Sequence, residues 1–376
     1  MIGIITFHRA INYGAVLQAY ALSKYINDIG GNVEIIDYKS NFISKFYNPL
    51  YPINKKLIKN LILYPFVMNK HRKFNTFIQN KIPLSKPVYS TEELMALSKK
   101  YNKIITGSDQ VWNNKWTGFD KNYFLDFCEK SKKYSYAASF GFSSIPRELQ
   151  QEYYNLLSDF NYITVRELDG KKIISDLLGK NVDIMPDPVC LLKKEDWNKL
   201  IYREKNSKNK KPYLLLYTLE NSEKIFDLAK KIANDKNLEI RYICDSLKHK
   251  QKFKYESFIS PQEFVSLFFN AEYIITNSFH GSMFSLIFNK KFFIKLQNSK
   301  GAPNSRLVHL IDTYKLQEIV LDENQDFSND YDDRINSVDL KKINAILKLE
   351  QEKASKYLKE LLDKNKENKE ENKYFE

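Results

Sequence analysis

A histidine follows an apolar run in the second half of the chain, in a pattern typical of a strand that turns sharply into a helix. Residues 274–276 are apolar or β-branched, and small polar residues follow them. After His280 and Gly281, apolar residues recur at helical spacing from Met283 onwards. The first N–H groups of such a helix have no partner within it and attract anions. Since histidine can donate a proton near neutral pH, the pattern predicts an anionic substrate held beside a proton donor. A histidine that only caps the helix or fills a gap is the alternative.

Two arginines and one aspartate also follow predicted strands or begin predicted helices. Arg166 ends a strand and Arg306 begins a helix, and a planar guanidinium at such a place can bind a carboxylate or a phosphate in a fork. Each arginine could instead form a structural salt bridge. Asp109 lies among small and polar residues that rarely form a core, so we favour a site role for it over a helix cap. Trp112, three residues further on, could stack on a sugar ring or lie in the core.

The composition limits the class of protein. The chain has 376 residues, 43% hydrophobic and 28% charged, which is typical of a globular protein large enough for two domains. Its net charge of +13 is compatible with an anionic partner, but no nucleic-acid-binding motif accompanies that charge, so we expect no nucleic acid. Three scattered cysteines and five histidines show no metal-ligand spacing, so we expect no metal. With no secretory signal and no apolar run of about 18 residues, we expect a cytoplasmic protein.

Apolar strands alternate with helical spacing in both halves of the chain, which predicts an α/β fold with parallel sheets in two domains facing a cleft. A lysine-rich stretch at 193–211 marks the expected boundary between them. We therefore expect an N-terminal domain at 1–192, a C-terminal domain at 193–330, and a C-terminal helix with a charged tail at 331–376. The predicted strands cover residues 2–6, 33–37, 103–106, 134–138, 162–165, 182–185, 213–217, 238–244, 274–276 and 292–296.

Residues 42–82 interleave aromatic and apolar side chains with lysines. Such a mixture suits a membrane surface or a lipid-linked ligand. The alternative, which we favour, is a helical insertion packed on the N-terminal domain.

Six short motifs, in this order, resemble those of the polysaccharide pyruvyl transferases over roughly residues 1–320. They are NYGAVLQAYAL at 12–22, GSDQVWN at 107–113, AASFG at 137–141, VRE at 165–167, DPV at 187–189 and SFHG at 278–281. The resemblance implies two Rossmann-like domains in a GT-B-like fold. It also implies transfer of pyruvate from phosphoenolpyruvate to a sugar as a cyclic ketal, with release of phosphate and with no cofactor.

The resemblance implies that a histidine and arginines handle the donor, and His280 and Arg166 match those positions. We expect catalysis at His280, and a carboxylate such as Asp109 could accept the proton of the incoming hydroxyl from the facing domain. Characterised members of the family carry an arginine where this chain has Ser278. In this chain the remaining cationic side chains and the backbone amides would therefore have to bind the anionic groups of the donor. The expected donor-binding residues are Arg166, Ser278, His280, Gly281, Ser282 and Arg306. The expected acceptor-binding residues are Asn12, Tyr13, Gly14, Gln18, Ser108, Asp109, Gln110 and Trp112.

The expected partners are phosphoenolpyruvate and a sugar or lipid-linked oligosaccharide of a bacterial cell-surface polysaccharide, with peripheral contact at the inner face of the cytoplasmic membrane. Two other functions stay open. One is a GT-B glycosyltransferase that uses a nucleotide sugar, and the other is a non-catalytic carbohydrate-binding member of the family.

Overall fold

The chain forms two compact units that divide it unevenly. The structure is a computed structural model and describes residues 1–48, 57–201, 211–220, 222–245, 251–297, 304–322 and 330–371. Unit 1 comprises residues 1–51, 75–191 and 348–376, and unit 2 comprises residues 52–74 and 192–347. No helix in the described part of the chain is both long enough and apolar enough to cross a membrane.

The strands and helices alternate along most of the chain. The strands are β1 (Ile2–Ile5), β2 (Val33–Ile35), β3 (Lys103–Thr106), β4 (Lys133–Ser135), β5 (Thr164–Val165), β6 (Asp183–Ile184), β7 (Tyr213–Tyr217), β8 (Glu239–Ile243), β9 (Lys254–Glu256), β10 (Tyr273–Thr276), β11 (Lys291–Lys295) and β12 (Val320–Leu321). The helices are α1 (Tyr13–Asp28), α2 (Asn41–Phe46), α3 (Leu57–Lys81), α4 (Thr91–Ser98), α5 (Asn114–Thr117), α6 (Gln150–Ser158), α7 (Leu168–Leu178), α8 (Lys194–Asn198), α9 (Glu223–Asp235), α10 (Pro261–Asn270), α11 (Phe279–Ile287), α12 (Ser305–Tyr314), α13 (Tyr331–Ser337) and α14 (Leu340–Glu371).

Unit 1 is built on a parallel sheet with the strand order β2-β1-β3-β4. Two isolated bridges, Tyr134 to Tyr162 and Ala138 to Val165, continue this sheet towards the parallel pair β5-β6. The four residues of β1 are all buried, as expected for a strand covered on both faces. Asn12 caps α1 by accepting a hydrogen bond from the Ala15 N–H, and α1 ends before Gly30, whose φ of 89° suits glycine.

Unit 2 is built on a second parallel sheet with the strand order β12-β11-β10-β7-β8-β9. Its core carries an aromatic cluster in which the Phe264 ring lies 4.7 Å from Phe268 and 6.0 Å from Phe284, measured between centroids. The sequence pattern predicts a capping box at the start of α10. This is confirmed, because Ser260 accepts from the Glu263 N–H while the Glu263 carboxylate accepts from the Ser260 N–H. The prediction of an α/β fold with parallel sheets is also confirmed.

The two units do not follow the expected division of the chain at every point. The segment expected as a helical insertion of the N-terminal domain lies partly in each unit, since α3 belongs to unit 2 up to Phe74 and to unit 1 from Asn75. The C-terminal region is likewise shared, with residues 331–347 in unit 2 and residues 348–376 in unit 1. The last five residues of the expected charged tail, 372–376, lie outside the described residues.

The part of α3 that belongs to unit 2 packs within that unit through two ion pairs and one ring contact. Lys70 lies 2.5 Å from Asp245, and Lys73 lies 3.0 Å from Glu263. The Phe66 ring lies 5.7 Å from that of Phe258. These contacts agree with a packed helix, although it packs on a different unit from the one we expected. Contact of residues 42–82 with a membrane stays a prediction, and residues 49–56 lie outside the described part of the chain.

Candidate functional site

The sheet of unit 2 reverses its strand order between β7 and β10, and open α/β sheets bind ligands at the carboxyl ends of the strands at such a point. Two hydrogen bonds join the strand ends there. The Thr276 hydroxyl donates to the Tyr217 carbonyl oxygen at 2.7 Å, and the Leu219 N–H donates to the Asn277 side-chain oxygen at 2.6 Å. The helix α11, which carries His280, begins immediately after this junction.

Residues within α11 and at its N-cap form hydrogen bonds with some of the polar groups at the start of this helix. Ser278 is the N-cap residue, and its hydroxyl oxygen accepts a hydrogen bond from the Gly281 N–H at a long 3.4 Å. The Ser278 carbonyl oxygen accepts from both the N–H and the hydroxyl of Ser282, at 2.9 and 3.1 Å. Ser278 and Ser282 therefore shape the helix terminus. Their hydrogen bonds are structural, and their expected contact with a donor stays a prediction.

His280 and Arg306, predicted from distant parts of the sequence, contact the same aromatic ring. The Phe279 ring centroid lies 5.3 Å from that of His280, with the planes at 89°. The guanidinium carbon of Arg306, in the first turn of α12, lies 5.7 Å from the Phe279 centroid. His280 is 8% exposed. The structure thus places a histidine and an arginine on one ring at the switch point of the unit 2 sheet.

Gly281 has a packing role that the sequence did not indicate, and its expected role in donor binding stays a prediction. A Cβ atom at this position would lie 2.4 Å from the hydroxyl oxygen of Thr276 and 3.2 Å from the Tyr217 ring. Gly281 is therefore needed for close packing of α11 against β10 and β7.

The sheet of unit 1 has its own switch point, between β1 and β3. The Thr6 hydroxyl donates to the Ser108 carbonyl oxygen at 2.9 Å, and Gln18 of α1 donates to the Thr6 hydroxyl oxygen at 2.8 Å. The Ser108 hydroxyl donates to the Ala137 carbonyl oxygen at 2.8 Å. The structure therefore brings Gln18 and Ser108, both predicted acceptor residues, to the two sides of this point.

Asp109 and Gln110 lie beside them in the turn after β3. Asp109 adopts a φ of 74°, which aspartate tolerates better than most residues. Its carboxylate accepts a hydrogen bond from the Gln110 N–H at 2.9 Å and lies 3.8 Å from the guanidinium of Arg166. The Gln110 side-chain oxygen accepts from the Asn113 amide at 2.8 Å. Asp109 thus stands at a strand end, as predicted, and its side chain keeps 13% of its surface exposed.

Arg166 lies in surroundings that differ from those of a donor-binding residue. Its side chain is 2% exposed and pairs with the carboxylate of Asp187, which is fully buried. One guanidinium therefore faces two carboxylates, those of Asp187 and Asp109, and further negative charge is unfavourable there. Arg166 also belongs to unit 1, whereas the other predicted donor residues belong to unit 2. Its donor role stays a prediction, and its contacts favour a structural one.

Of the predicted acceptor residues, Trp112, Tyr13 and Gly14 are buried, whereas Asn12 is exposed. Trp112 is fully buried, and its ring packs against those of Phe124, Phe140 and Phe160. The expectation that Trp112 stacks on a sugar is therefore wrong for this conformation, and the core alternative holds. Tyr13 is 5% exposed, Gly14 is buried beside it, and Asn12 uses its side chain as the helix cap. An acceptor role of these three residues stays a prediction.

The sequence analysis missed a charged cluster at the ends of β1 and β2. His8 is 1% exposed, with one ring nitrogen 3.1 Å from the Thr6 carbonyl oxygen and the other 3.1 Å from the Asp37 carboxylate. Arg9 donates to both carboxylate oxygens of Asp37. Burial alone would raise the pKa of Asp37, but hydrogen bonds from His8 and Arg9, together with their charges, hold that pKa well below its usual range. The signal was present in the sequence, because His8 and Arg9 directly follow an apolar strand.

A cavity of about 550 Å³ in unit 1 lies away from these residues. Its lining includes Met1, Asn32 and Asn102, which precede β1, β2 and β3. It therefore opens at the amino ends of the strands, the edge of the sheet opposite the switch point. We do not assign it to the candidate site.

Comparison with solved structures identifies the fold. The chain is 14% identical to UDP-GlcNAc 2-epimerase from Methanocaldococcus jannaschii, with 90% of this chain and 92% of that chain covered and a TM-score of 0.51. It is 8% identical to a protein from Listeria monocytogenes assigned as a UDP-N-acetylglucosamine 2-epimerase, with 92% and 90% covered and a TM-score of 0.52. The α/β fold of the chain is thus GT-B-like, as predicted.

Comparison of sequences identifies the family. No curated protein matches the chain. The family model for polysaccharide pyruvyl transferase matches residues 12–296, a range that includes Asp109 and His280 and begins just after His8 and Arg9. Because this match covers most of the chain, the protein belongs to the polysaccharide pyruvyl transferase family, a family of enzymes.

Proposed function

We propose that this protein transfers pyruvate from phosphoenolpyruvate to two hydroxyls of one sugar in a bacterial cell-surface polysaccharide. The product is a cyclic ketal, and inorganic phosphate is released. Two C–O bonds to the central carbon of the donor form, and its C–O bond to phosphate breaks. Of the two protons lost by the sugar hydroxyls, one is balanced by the new methyl group and the other by the released phosphate.

The observation that carries this proposal is the pairing of His280 and Arg306 on the Phe279 ring at the start of α11. Phosphoenolpyruvate bears a phosphate and a carboxylate. A helix N-terminus and a guanidinium are suited to hold these anionic groups, and a neighbouring anion favours the protonated form of histidine. Family membership independently supports pyruvate transfer.

In the proposed reaction His280 protonates the methylene carbon of the donor, and the central carbon becomes cationic in character. The first sugar hydroxyl attacks that carbon, the phosphate leaves, and the second hydroxyl closes the ring. Arg306 stabilises the negative charge on the leaving phosphate. General acid catalysis of this kind contributes about 100-fold to 10,000-fold to a rate.

We assign the acceptor sugar to the strand ends of unit 1, with Asp109 as the carboxylate that receives the hydroxyl proton. Gln18, Ser108 and Gln110 supply polar groups around the same switch point. We further propose that the reaction needs no cofactor or metal ion, and that the acceptor is a sugar or lipid-linked oligosaccharide at the inner face of the cytoplasmic membrane.

The experiment that tests the proposal measures both phosphate release and the fate of the proton. The protein is incubated in D₂O with phosphoenolpyruvate and candidate glycans, and the product methyl group is examined by mass spectrometry. We expect one phosphate and one deuterated methyl group per ketal formed. His280→Gln should abolish turnover while retaining more donor binding than His280→Ala, because an amide can form a hydrogen bond but cannot deliver a proton.

The matched control is His71→Gln, which makes the same change in α3 and should leave turnover unchanged. Near-normal turnover of His280→Gln would exclude His280 as the acid. Calorimetric titration with UDP-N-acetylglucosamine tests the rival function: binding of this nucleotide sugar without any phosphate release from phosphoenolpyruvate would favour a glycosyltransferase instead.

A further inference from the structure

A group of aromatic side chains lies exposed in unit 1, next to the residues assigned to the acceptor. Phe42 and Phe46 of α2 and Trp116 of α5 are 42%, 53% and 45% exposed. The Phe46 ring centroid lies 5.6 Å from that of Trp116, with the planes at 88°, and 5.0 Å from that of Tyr47, with the planes at 79°. We call the exposed Phe42, Phe46 and Trp116, together with the half-buried Tyr47, the aromatic platform. Exposed apolar residues that are grouped in this way mark binding sites more often than residues scattered singly.

The fold holds the rings of the aromatic platform in place. Gly118 follows α5 with a φ of 63°, and a Cβ atom there would lie 2.5 Å from the Phe42 ring. The glycine thus lets the Phe42 ring lie directly against the turn. Edge-to-face contacts of Phe46 with Tyr47 and with Trp116 set the remaining orientations. A binding surface ordered in advance loses little conformational entropy when a ligand binds.

Asn113 joins the aromatic platform to the acceptor residues. It donates a hydrogen bond to the Gln110 side chain at 2.8 Å and, as the N-cap of α5, accepts one from the Lys115 N–H at 3.0 Å. Burial and, to a smaller extent, the charge of the Asp109 carboxylate raise the pKa of the Tyr47 phenol to about 12. The platform is therefore continuous with the turn that carries Asp109.

We propose that the aromatic platform binds a hexose ring of the acceptor glycan, next to the sugar whose hydroxyls react at Asp109. A pyranose presents rows of C–H groups on its face, and these carry the partial positive charge that the face of an aromatic ring attracts. Polar groups at the rim of an aromatic surface suit the hydroxyls of the same sugar. This inference rests on the proposed function for its position in the reaction, and it extends that function to the recognition of a second sugar residue.

A membrane surface is the competing occupant, since aromatic side chains with nearby lysines also bind lipid headgroups. Lys45 and Lys115 are exposed beside the platform. Continuity with the turn that carries Asp109 favours the glycan, because this carboxylate keeps 13% of its side chain exposed and can accept hydrogen bonds from sugar hydroxyls. The two occupants also differ in their response to the probes below.

The first measurement uses the tryptophan emission of the full chain without phosphoenolpyruvate. Of the three tryptophans, Trp112 and Trp197 are fully buried, so a ligand on the platform changes the emission mainly through Trp116. The probes are a panel of neutral tetrasaccharides built from hexoses and N-acetylhexosamines, and vesicles with anionic headgroups. We expect a blue shift with at least one tetrasaccharide and no shift with vesicles. The shift should disappear in Trp116→Phe, which keeps an aromatic ring but removes the indole.

The second measurement compares kinetic constants with a tetrasaccharide that supports phosphate release. Trp116→Ala and Phe46→Ala should each raise the KM for that glycan about 2-fold to 13-fold, the scale of one stacked ring. The KM for phosphoenolpyruvate and kcat at saturating glycan should stay unchanged. The control is Tyr154→Ala, which removes an aromatic side chain of unit 1 that is 46% exposed, and it should alter none of these values.

The outcomes separate this inference from the proposed function. If both platform variants turn over with an unchanged KM for the glycan, the aromatic platform does not bind the glycan, and the proposed pyruvyl transfer is unaffected. A tetrasaccharide-dependent shift without any phosphate release would support the platform and contradict the proposed reaction. A shift produced by vesicles alone, or by no probe at all, would also overturn the platform as a glycan site.

Discussion

Arg9 and Asp37 form a forked ion pair at the strand ends of unit 1. Nε of Arg9 lies 2.7 Å from Oδ1 of Asp37, and Nη2 lies 2.6 Å from Oδ2. The Asp37 side chain is 2% exposed, whereas that of Arg9 is 21% exposed. His8 contacts the same carboxylate from the buried side, at 3.1 Å. The pair therefore ties the turn after β1 to the end of β2, and it fixes an arginine at the edge of the sheet where the predicted acceptor residues Gln18 and Ser108 lie.

Replacing Asp37 with asparagine should destabilise the protein by about 3–5 kcal/mol at pH 7, because the Arg9 guanidinium loses its buried countercharge. The lowered pKa of Asp37 gives the pH dependence its sign. The carboxylate stabilises the folded state fully above its ordinary pKa of about 4, and this contribution is lost as the pH falls through the lower pKa of the folded state. The difference between wild type and variant should therefore shrink below about pH 4.

Urea denaturation at pH 7 and at pH 3 measures this difference. Asp28→Asn is the matched control, because its carboxylate is 47% exposed and pairs with Lys24 on the surface of α1. That change should cost less than about 0.5 kcal/mol. Equal stability of Asp37→Asn and wild type at pH 7 would show that the forked pair makes no net contribution to the free energy of unfolding.

Replacing Arg166 with alanine should also destabilise the protein by about 3–5 kcal/mol, because the buried carboxylate of Asp187 loses its partner. The double variant Arg166→Met with Asp187→Asn should recover most of that loss, since neither buried charge remains. Thermal denaturation measures stability, and calorimetric titration measures the affinity for phosphoenolpyruvate. A folded, stable Arg166→Ala with donor binding weakened about 10-fold to 150-fold would instead restore Arg166 to the donor site.

Most strands could be predicted from the sequence, including the short edge strands β2 and β4 of unit 1, but β9 and β12 of unit 2 could not. The strands that lead to Thr106 and Thr276 are fully buried apolar runs, and the structure has both of them. The strand β9 is partly exposed along its length, and β12 has only two residues. The sequence of β9, Lys-Tyr-Glu, has no apolar run, and β12 is apolar but too short to show a period, so pairing with a neighbouring strand decides both.

The same distinction applies to the candidate site. Polar residues after an apolar strand correctly indicated His280 and Asp109 as residues at strand ends. The surroundings of Arg166 depend on Asp187, 21 positions later, which the register of β5 with β6 brings close. Trp112 lies in the core because three phenylalanines from other segments surround it. Contacts between residues far apart in sequence determine the surroundings of Arg166 and of Trp112, and the spacing of residues within one motif cannot reveal such contacts.

Gly281 meets Thr276 where α11 packs on β10, and this contact carries the last prediction. The Thr276 hydroxyl cannot readily move, because it donates to the Tyr217 carbonyl oxygen at 2.7 Å and accepts from the Ser278 N–H at 3.1 Å. A Cβ atom at Gly281 would lie 2.4 Å from that hydroxyl oxygen. Gly281→Ala should therefore cost about 1–3 kcal/mol of stability and, because α11 carries His280, reduce turnover as well.

A double-mutant cycle with Thr276→Ala tests the cause of that loss. Thr276→Ala removes the hydroxyl that blocks the new methyl group, so Gly281→Ala should cost less in this background, by at least about 0.5 kcal/mol. Gly170→Ala in α7 is the matched control, because its Cβ atom would meet its nearest neighbour at 3.2 Å, a far milder contact. Strictly additive losses in the cycle, measured by thermal denaturation, would contradict the clash. The cause of the lost stability would then lie elsewhere in α11.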